Sequence, residues 1–284
     1  MTAASLPAPA DAVCTTFLAA VPRGLVTGLY VHGGIGFGEW VEGHSDVDFV
    51  ATLAVRPGPV ERAALARAHR VVAERHGGAP YLDGPHLLAS DLSSPPDECP
   101  DVPTVFEHDF VDHGRFELGP VAWHELARHG VTVAGPTLDT LEIWTDDAAL
   151  RAHTVDNLDT YWRGQAAYCA GNPDGAASDF ACEWVVPGVA RLHHLLVTGE
   201  QTAKSLAARW GLGFYPERWH RVLRESLRVR EGVGEPEYDD LSDRGADVAA
   251  FVAYVVDAGV SSPTGTSTPT RLPSGASGQA QSGS

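Results

Sequence analysis

The chain is poor in basic side chains: it has 20 Lys and Arg against 37 Asp and Glu, a formal net charge of −17. Counterion release on nucleic acid needs clustered lysine and arginine, so this balance excludes non-specific nucleic-acid binding and suits a cationic ligand. Cysteine is also scarce. Cys14, Cys99, Cys169 and Cys182 are scattered with no CxxC pair, which excludes a disulfide framework and a cysteine zinc site and predicts reduced thiols in a cytoplasmic protein. No apolar run reaches the length of about 18 residues that a membrane helix needs, and the first residues lack the positive stretch of a secretory signal. With 44% hydrophobic and 20% charged residues, what remains is a globular protein of one large or two small domains.

The segment "HGGIGFGEWVEGHSDVDFV", His32 to Val50, carries the strongest chemical signal. Val47, Phe49 and Val50 alternate with Asp46 and Asp48, the pattern of a strand that puts both carboxylates on one face. At about 3.3 Å rise per residue their Cβ atoms stand roughly 6.6 Å apart, suited to holding Mg²⁺ with positions left open for water and phosphate. Ahead of them, Leu29, Tyr30 and Val31 run into Gly33-Gly34, whose bare backbone N–H groups can receive phosphate oxygens. A phosphate cradle beside a metal-binding strand predicts a nucleoside triphosphate site. The glycine spacing fits neither a dinucleotide fingerprint nor a P-loop.

Two domains and a tail are expected: residues 1–136 as α/β, 137–260 as a helical bundle, and a Ser-, Thr-, Gly- and Pro-rich disordered tail over 261–284. In the first, a helix is expected over 13–20, strands at "GLYVHGG" and "SDVDFVATLAV", and an amphipathic helix at "PVERAALARAHRVVAERHGG". Strand follows at "PYLDGPHLLASDL" and "PTVFEHDFVDHGRFEL", a short helix at "PVAWHELARHG", and a last strand at "VTVAGP". From Thr145 the pattern is helical, with Pro187 bending the helix it interrupts. In "HELARH", His124 and His129 lie five apart and do not share a helix face, so a zinc site is not expected there. Nucleotidyl transfer also needs a third carboxylate to activate the attacking hydroxyl. Asp83 in "YLDGPHLL" is the first candidate, with Glu107 and Asp109 in "VFEHDF" as rivals that the residues alone do not separate.

The glycine turn with "SDVDF" resembles the signature of the nucleotidyltransferase fold. "VAGP" followed by "ARLHHLLVTGEQTAKSLAARW" resembles the aminoglycoside adenylyltransferases that modify streptomycin and spectinomycin, over roughly residues 24 to 230. The resemblance implies a nucleotidyltransferase-fold N-terminal domain (α/β, α+β) with a C-terminal all-α bundle, and in-line transfer of AMP from ATP to a hydroxyl of a small cationic acceptor, releasing pyrophosphate. Carried over by position, Asp46 and Asp48 hold Mg²⁺, and Gly33, Gly34, Ser45 and Lys204 contact ATP. Asp83 falls where the family has its catalytic glutamate, and Glu183, His108 and Glu107 face the acceptor. Lys204 stands out in an arginine-rich chain with almost no lysine.

Departures accompany the likeness. Gly34 replaces a serine, Asp83 is one methylene shorter than glutamate, and His108 and Ala181 stand where the family contacts streptomycin through tryptophan and aspartate, which argues against streptomycin itself. A monomeric cytoplasmic enzyme is expected, with no nucleic-acid or membrane partner. Transfer of AMP to a protein hydroxyl and non-catalytic nucleotide binding are the alternatives.

Overall fold

The computed structural model describes residues 6–261, so the expected tail lies almost wholly outside the described residues. The chain opens with α1 (Ala8–Ala20), begun by Pro7 and burying Val13, Cys14 and Phe17. Then come β1 (Val26–Val31), a single helical turn α2 (Gly33–Gly36), β2 (Val47–Leu53), α3 (Pro59–His76) and β3 (Leu82–Leu88). Helix α3 starts with Glu61 accepting the Gly58 N–H at 2.9 Å and stops at Gly77, whose φ of 67° needs no Cβ penalty. β4 (Val102–Phe106) and β5 (Asp109–Gly114) form a hairpin, followed by α4 (Pro120–His129) and β6 (Val131–Ala134).

The six strands are ordered β5-β4-β3-β2-β1-β6. Only β2 and β3 run parallel among the described neighbours, joined by the α3 crossover; the other pairs are antiparallel. One face of the sheet is covered by α1 and α3 over Phe17, Phe49, Leu65 and Val72, and a second core gathers Tyr30, Val50, Leu87 and Trp123. Buried in the first layer, the His69 and His86 Nε2 atoms lie 3.0 Å apart. His86 Nδ1 lies 3.1 Å from the Pro103 carbonyl and must donate to it, so His86 Nε2 accepts from His69. His86 is thereby held neutral, and burial disfavours the charged form of both rings.

The apolar residues just past the expected boundary at 136 stay with the sheet: Leu138, Leu141, Ile143 and Trp144 pack on the Trp123 core, and Trp144 N–H reaches the Leu92 carbonyl at 2.8 Å. Helices begin at α5 (Asp147–Asn157), where Asp146 Oδ1 accepts from the N–H groups of Ala148 and Ala149. They continue as α6 (Arg163–Gly171), α7 (Pro173–Ala176), α8 (Val186–Thr198), α9 (Lys204–Phe214), α10 (His220–Glu231) and α11 (Leu241–Val260). The core here is Trp162, Val189, Ala190, Leu223, Phe251, Val252 and Val255. Pro187 lies inside a continuous helical run, 179–198, directly after a wide π turn over Ala181–Val185, a local widening that accommodates a residue with no N–H to give. All four cysteines are free and buried. No helix among the described residues is long and apolar enough to cross a membrane.

Candidate active site

Asp48 and Asp83 are direct register partners on the parallel strands β2 and β3. Neighbouring strands lie about 4.8 Å apart, and partners in register point to the same face. Asp46 sits one residue before β2, its carboxylate accepting the backbone N–H of Tyr81. Burial and then the Asp48 charge push Asp46 up to about 6. Burial, with both of those aspartates adding to it, pushes Asp83 up to about 7 even though its Oδ1 accepts the Glu107 N–H at 3.0 Å. The three carboxylates therefore repel one another at the edge of the sheet, a site that favours a cation.

Gly33 lies against the Asp48 carboxylate. Gly33 to Gly36 coil into a helical turn, and a Cβ on Gly33, at φ 60°, would lie 1.9 Å from Asp48 Oδ2. The glycine is there so that the Asp48 carboxylate can lie against the backbone. Its N–H donates to Glu125, which also pairs with His32 Nδ1 at 3.2 Å. Burial disfavours a charged His32, but the hydrogen bond and charge of Glu125, with Asp48 and Glu117 close by, outweigh it and hold the ring at about 9. Burial pushes Glu117 up to about 7 and Asp48 upward, against the pull of His32 on each.

The helical half faces these acids with cations. Lys204, the chain's single lysine, is the first residue of α9. A helix start repels positive charge, so an ammonium there needs an anionic neighbour. Asp48 and Asp46 supply it, while burial, Arg191 and Arg230 lower Lys204 to about 8. Its Nζ also lies 5.7 Å from the centre of the Trp184 ring. A cavity of about 550 Å³ opens beside the cluster, walled by Glu117, Glu125, Asn157, Tyr161, Trp162, Trp184, Arg191 and Gln201. Asn157 Oδ1 and Gln201 Oε1 are buried there without a hydrogen-bond partner.

Other expected site residues are occupied differently. Ser45 Oγ accepts the Val41 N–H at 2.9 Å and closes the loop before β2. Gly34 has room for little more than a Cβ, 3.1 Å from the Glu39 carbonyl oxygen. Glu107 and His108 are the two positive-φ residues, 47° and 72°, that turn the β4–β5 hairpin. His108 Nε2 donates to the Gly78 carbonyl at 2.9 Å and its ring packs on Tyr81. Glu107 is exposed but adds to the repulsion at Asp46 and Asp83, and Asp109 is exposed at the start of β5. Glu183 contacts His44 across the two halves.

Residues 179–258 match the family model of the aminoglycoside adenylyltransferase C-terminal domain. Over those residues the chain is similar to that domain. The resemblance read from "ARLHHLLVTGEQTAKSLAARW" is borne out, and with it the enzyme class, nucleotidyltransferase. Among solved structures the chain is similar to spectinomycin adenyltransferase AAD(9) from Enterococcus faecialis, solved with ATP and spectinomycin. The TM-score is 0.63 at 12% identity, over 87% of this chain and 97% of that one, a likeness of fold. No curated protein sequence matches.

Sequence reasoning missed His32, Glu117, Glu125 and Arg191. Arg191 lay inside the quoted "ARLHH" pattern and Glu125 inside "HELARH", where attention went to the histidines. Glu117 gives no sequence signal, since only the fold brings it beside Asp48.

Proposed function

We propose that the protein transfers AMP from ATP to a hydroxyl of a small, cationic, aminoglycoside-like acceptor in the presence of Mg²⁺. The observation that carries this reading is the placement of Asp48 and Asp83 as register partners with Lys204 opposite them. The fold would be that of a nucleotidyltransferase domain, residues 1–136, followed by a helical domain, 137–260. The donor set fits magnesium: it is all carboxylate oxygen. Magnesium takes one or two protein carboxylates and completes its shell with water and phosphate; among the described residues no group of three or more His, Cys, Asp and Glu is placed to hold a metal. Asp46 and Asp48 would hold it, and when bound it would neutralise charge developing on the transferred phosphate.

The chain's own groups do the rest. Lys204, with Arg191 behind it, draws the triphosphate between the two halves. Asp83 takes the proton of the attacking hydroxyl, its carboxyl near 7 being matched to that task at neutral pH. The unpaired Asn157 and Gln201 oxygens and the Glu117 carboxyl in the cavity suit an acceptor rich in N–H and O–H donors. The test is a screen of aminoglycosides and aminocyclitols, spectinomycin first, with ATP labelled at the α-phosphate. Label on a small molecule supports the proposal; label on protein, or on nothing, overturns it.

A further inference from the structure

We propose that Glu39 is a positioning residue that sets Lys204 against the nucleotide, an inference that rests on the phosphate role of Lys204 given above. Helix α9 starts without a cap of its own: Ala203 precedes it and has no side-chain acceptor. The cap comes from the other half of the chain. Ser205 N–H donates to Glu39 Oε2 at 2.9 Å, one residue from Lys204. Glu39 Oε1 takes two further bonds from Arg230, Nη2 at 2.7 Å and Nε at 3.2 Å, with the two side chains only 10% and 6% exposed.

Glu39 also ties this contact to the metal-site strand. Its N–H donates to the Gly34 carbonyl at 2.8 Å, and the loop it belongs to runs directly into Asp46 and Asp48. One carboxylate therefore fixes the start of α9, offsets the Arg230 guanidinium beside Lys204, and joins both to the segment carrying the aspartates. Without it, the first turn of α9 loses its acceptor and Lys204 faces an unpaired like charge in a buried setting. The lysine then keeps only Asp46, Asp48 and the Trp184 ring to hold its place opposite the phosphate.

The experiment compares wild type, Glu39→Ala, Glu39→Gln and Lys204→Ala by steady-state kinetics for ATP and acceptor. It adds amine-reagent labelling of Lys204 with and without ATP, read by peptide mass. Because the chain has one lysine, the side-chain label reports that residue alone. Glu39→Ala is expected to raise the KM for ATP at least tenfold with the acceptor KM little changed, and to abolish ATP protection of Lys204. Glu39→Gln, which keeps an oxygen for Ser205 N–H but loses the charge facing Arg230, is expected to fall between. A lowered melting temperature with wild-type KM for ATP and intact protection would overturn the proposal, leaving Glu39 a structural tether. Should Glu39→Ala not fold, an unchanged ATP KM in Glu39→Gln overturns it equally. An ATP KM unaffected by Lys204→Ala removes the phosphate role and this inference with it. A raised KM in Lys204→Ala alone removes only the inference.

Discussion

Replacing Gly33 by alanine tests whether that glycine serves the metal-site aspartate or a phosphate. The added Cβ would lie 1.9 Å from Asp48 Oδ2 and 2.9 Å from its Cγ. An ordinary contact needs about 3.5 Å, so the carboxylate must retreat by roughly 1.5 Å. A misplacement of about 1 Å in a reacting constellation can cost on the order of 10²-fold in rate. The φ of 60° adds about 1 kcal/mol of backbone strain, worth a melting shift of roughly 2–4 °C in a chain of this size. Gly33→Ala should therefore stay folded, melt a few degrees lower and lose about two orders of magnitude in kcat. Gly34→Ala is the control. Its Cβ meets the Glu39 carbonyl oxygen at 3.1 Å, which a shift of a few tenths of an ångström relieves, so it should keep turnover within a few-fold of wild type. Transfer of label from α-phosphate ATP, alongside thermal melts, reads both. Gly33→Ala with turnover within twofold of wild type would refute the reasoning.

Asp46→Asn and Asp48→Asn should each abolish transfer with an unchanged circular dichroism spectrum, since each removes a metal-site charge at constant volume; activity in either would remove the assignment. Asp83→Asn should lower kcat by at least about 10²-fold while ATP still binds. It should also raise the melting temperature at pH 8: a carboxyl raised from about 4 to about 7 by folding disfavours the folded state once pH exceeds those values, here by up to about 4 kcal/mol. A melting temperature that falls at pH 8 would contradict the repulsion among the three acids. Lys204→Ala should raise the KM for ATP far more than that for the acceptor, measured by steady-state kinetics. On the acid side, His86 is held neutral to about 4, so its contribution, on the order of 3 kcal/mol, is present above about 6.5 and lost as pH falls toward 4. His86→Asn should flatten that part of the stability-against-pH curve.

The strands around Asp48 and Asp83, α3 with its glycine stop, and the helical character after residue 145 were all readable, because period and end signals are local. The π turn just before Pro187 was not, since nothing in the local period marks where a helix widens. The hairpin at Glu107-His108 escaped for a related reason: neither residue is a usual positive-φ type, so "VFEHDF" reads as unbroken strand. Asp46, Asp48 and Lys204 stood out as residue types in motifs, whereas the residues alone did not separate Asp83 from Glu107 and Asp109. His32, Glu117 and Glu125 were not legible, because the fold brings them together from the residue after β1, a loop and α4, and no short window contains the three.

The one parallel pairing among the described strands also keeps the site in calibration. Asp48 and Asp83 are 35 positions apart, and both stand within the first two residues of their strands. In an antiparallel pair those strand starts would sit at opposite edges, so the α3 crossover is what makes a shared site available. A slip of one residue between β2 and β3 would turn Asp83 to the other face. Gly84 opposes such a slip, because at φ 154° its α-carbon lies so close to β2 that a Cβ would sit 1.9 Å from the Phe49 carbonyl oxygen. The distance between Asp48 and Asp83, the proposed metal ligand and base, is thus a lattice spacing of the sheet, and changes in the loops or in the length of α3 can accumulate without altering it.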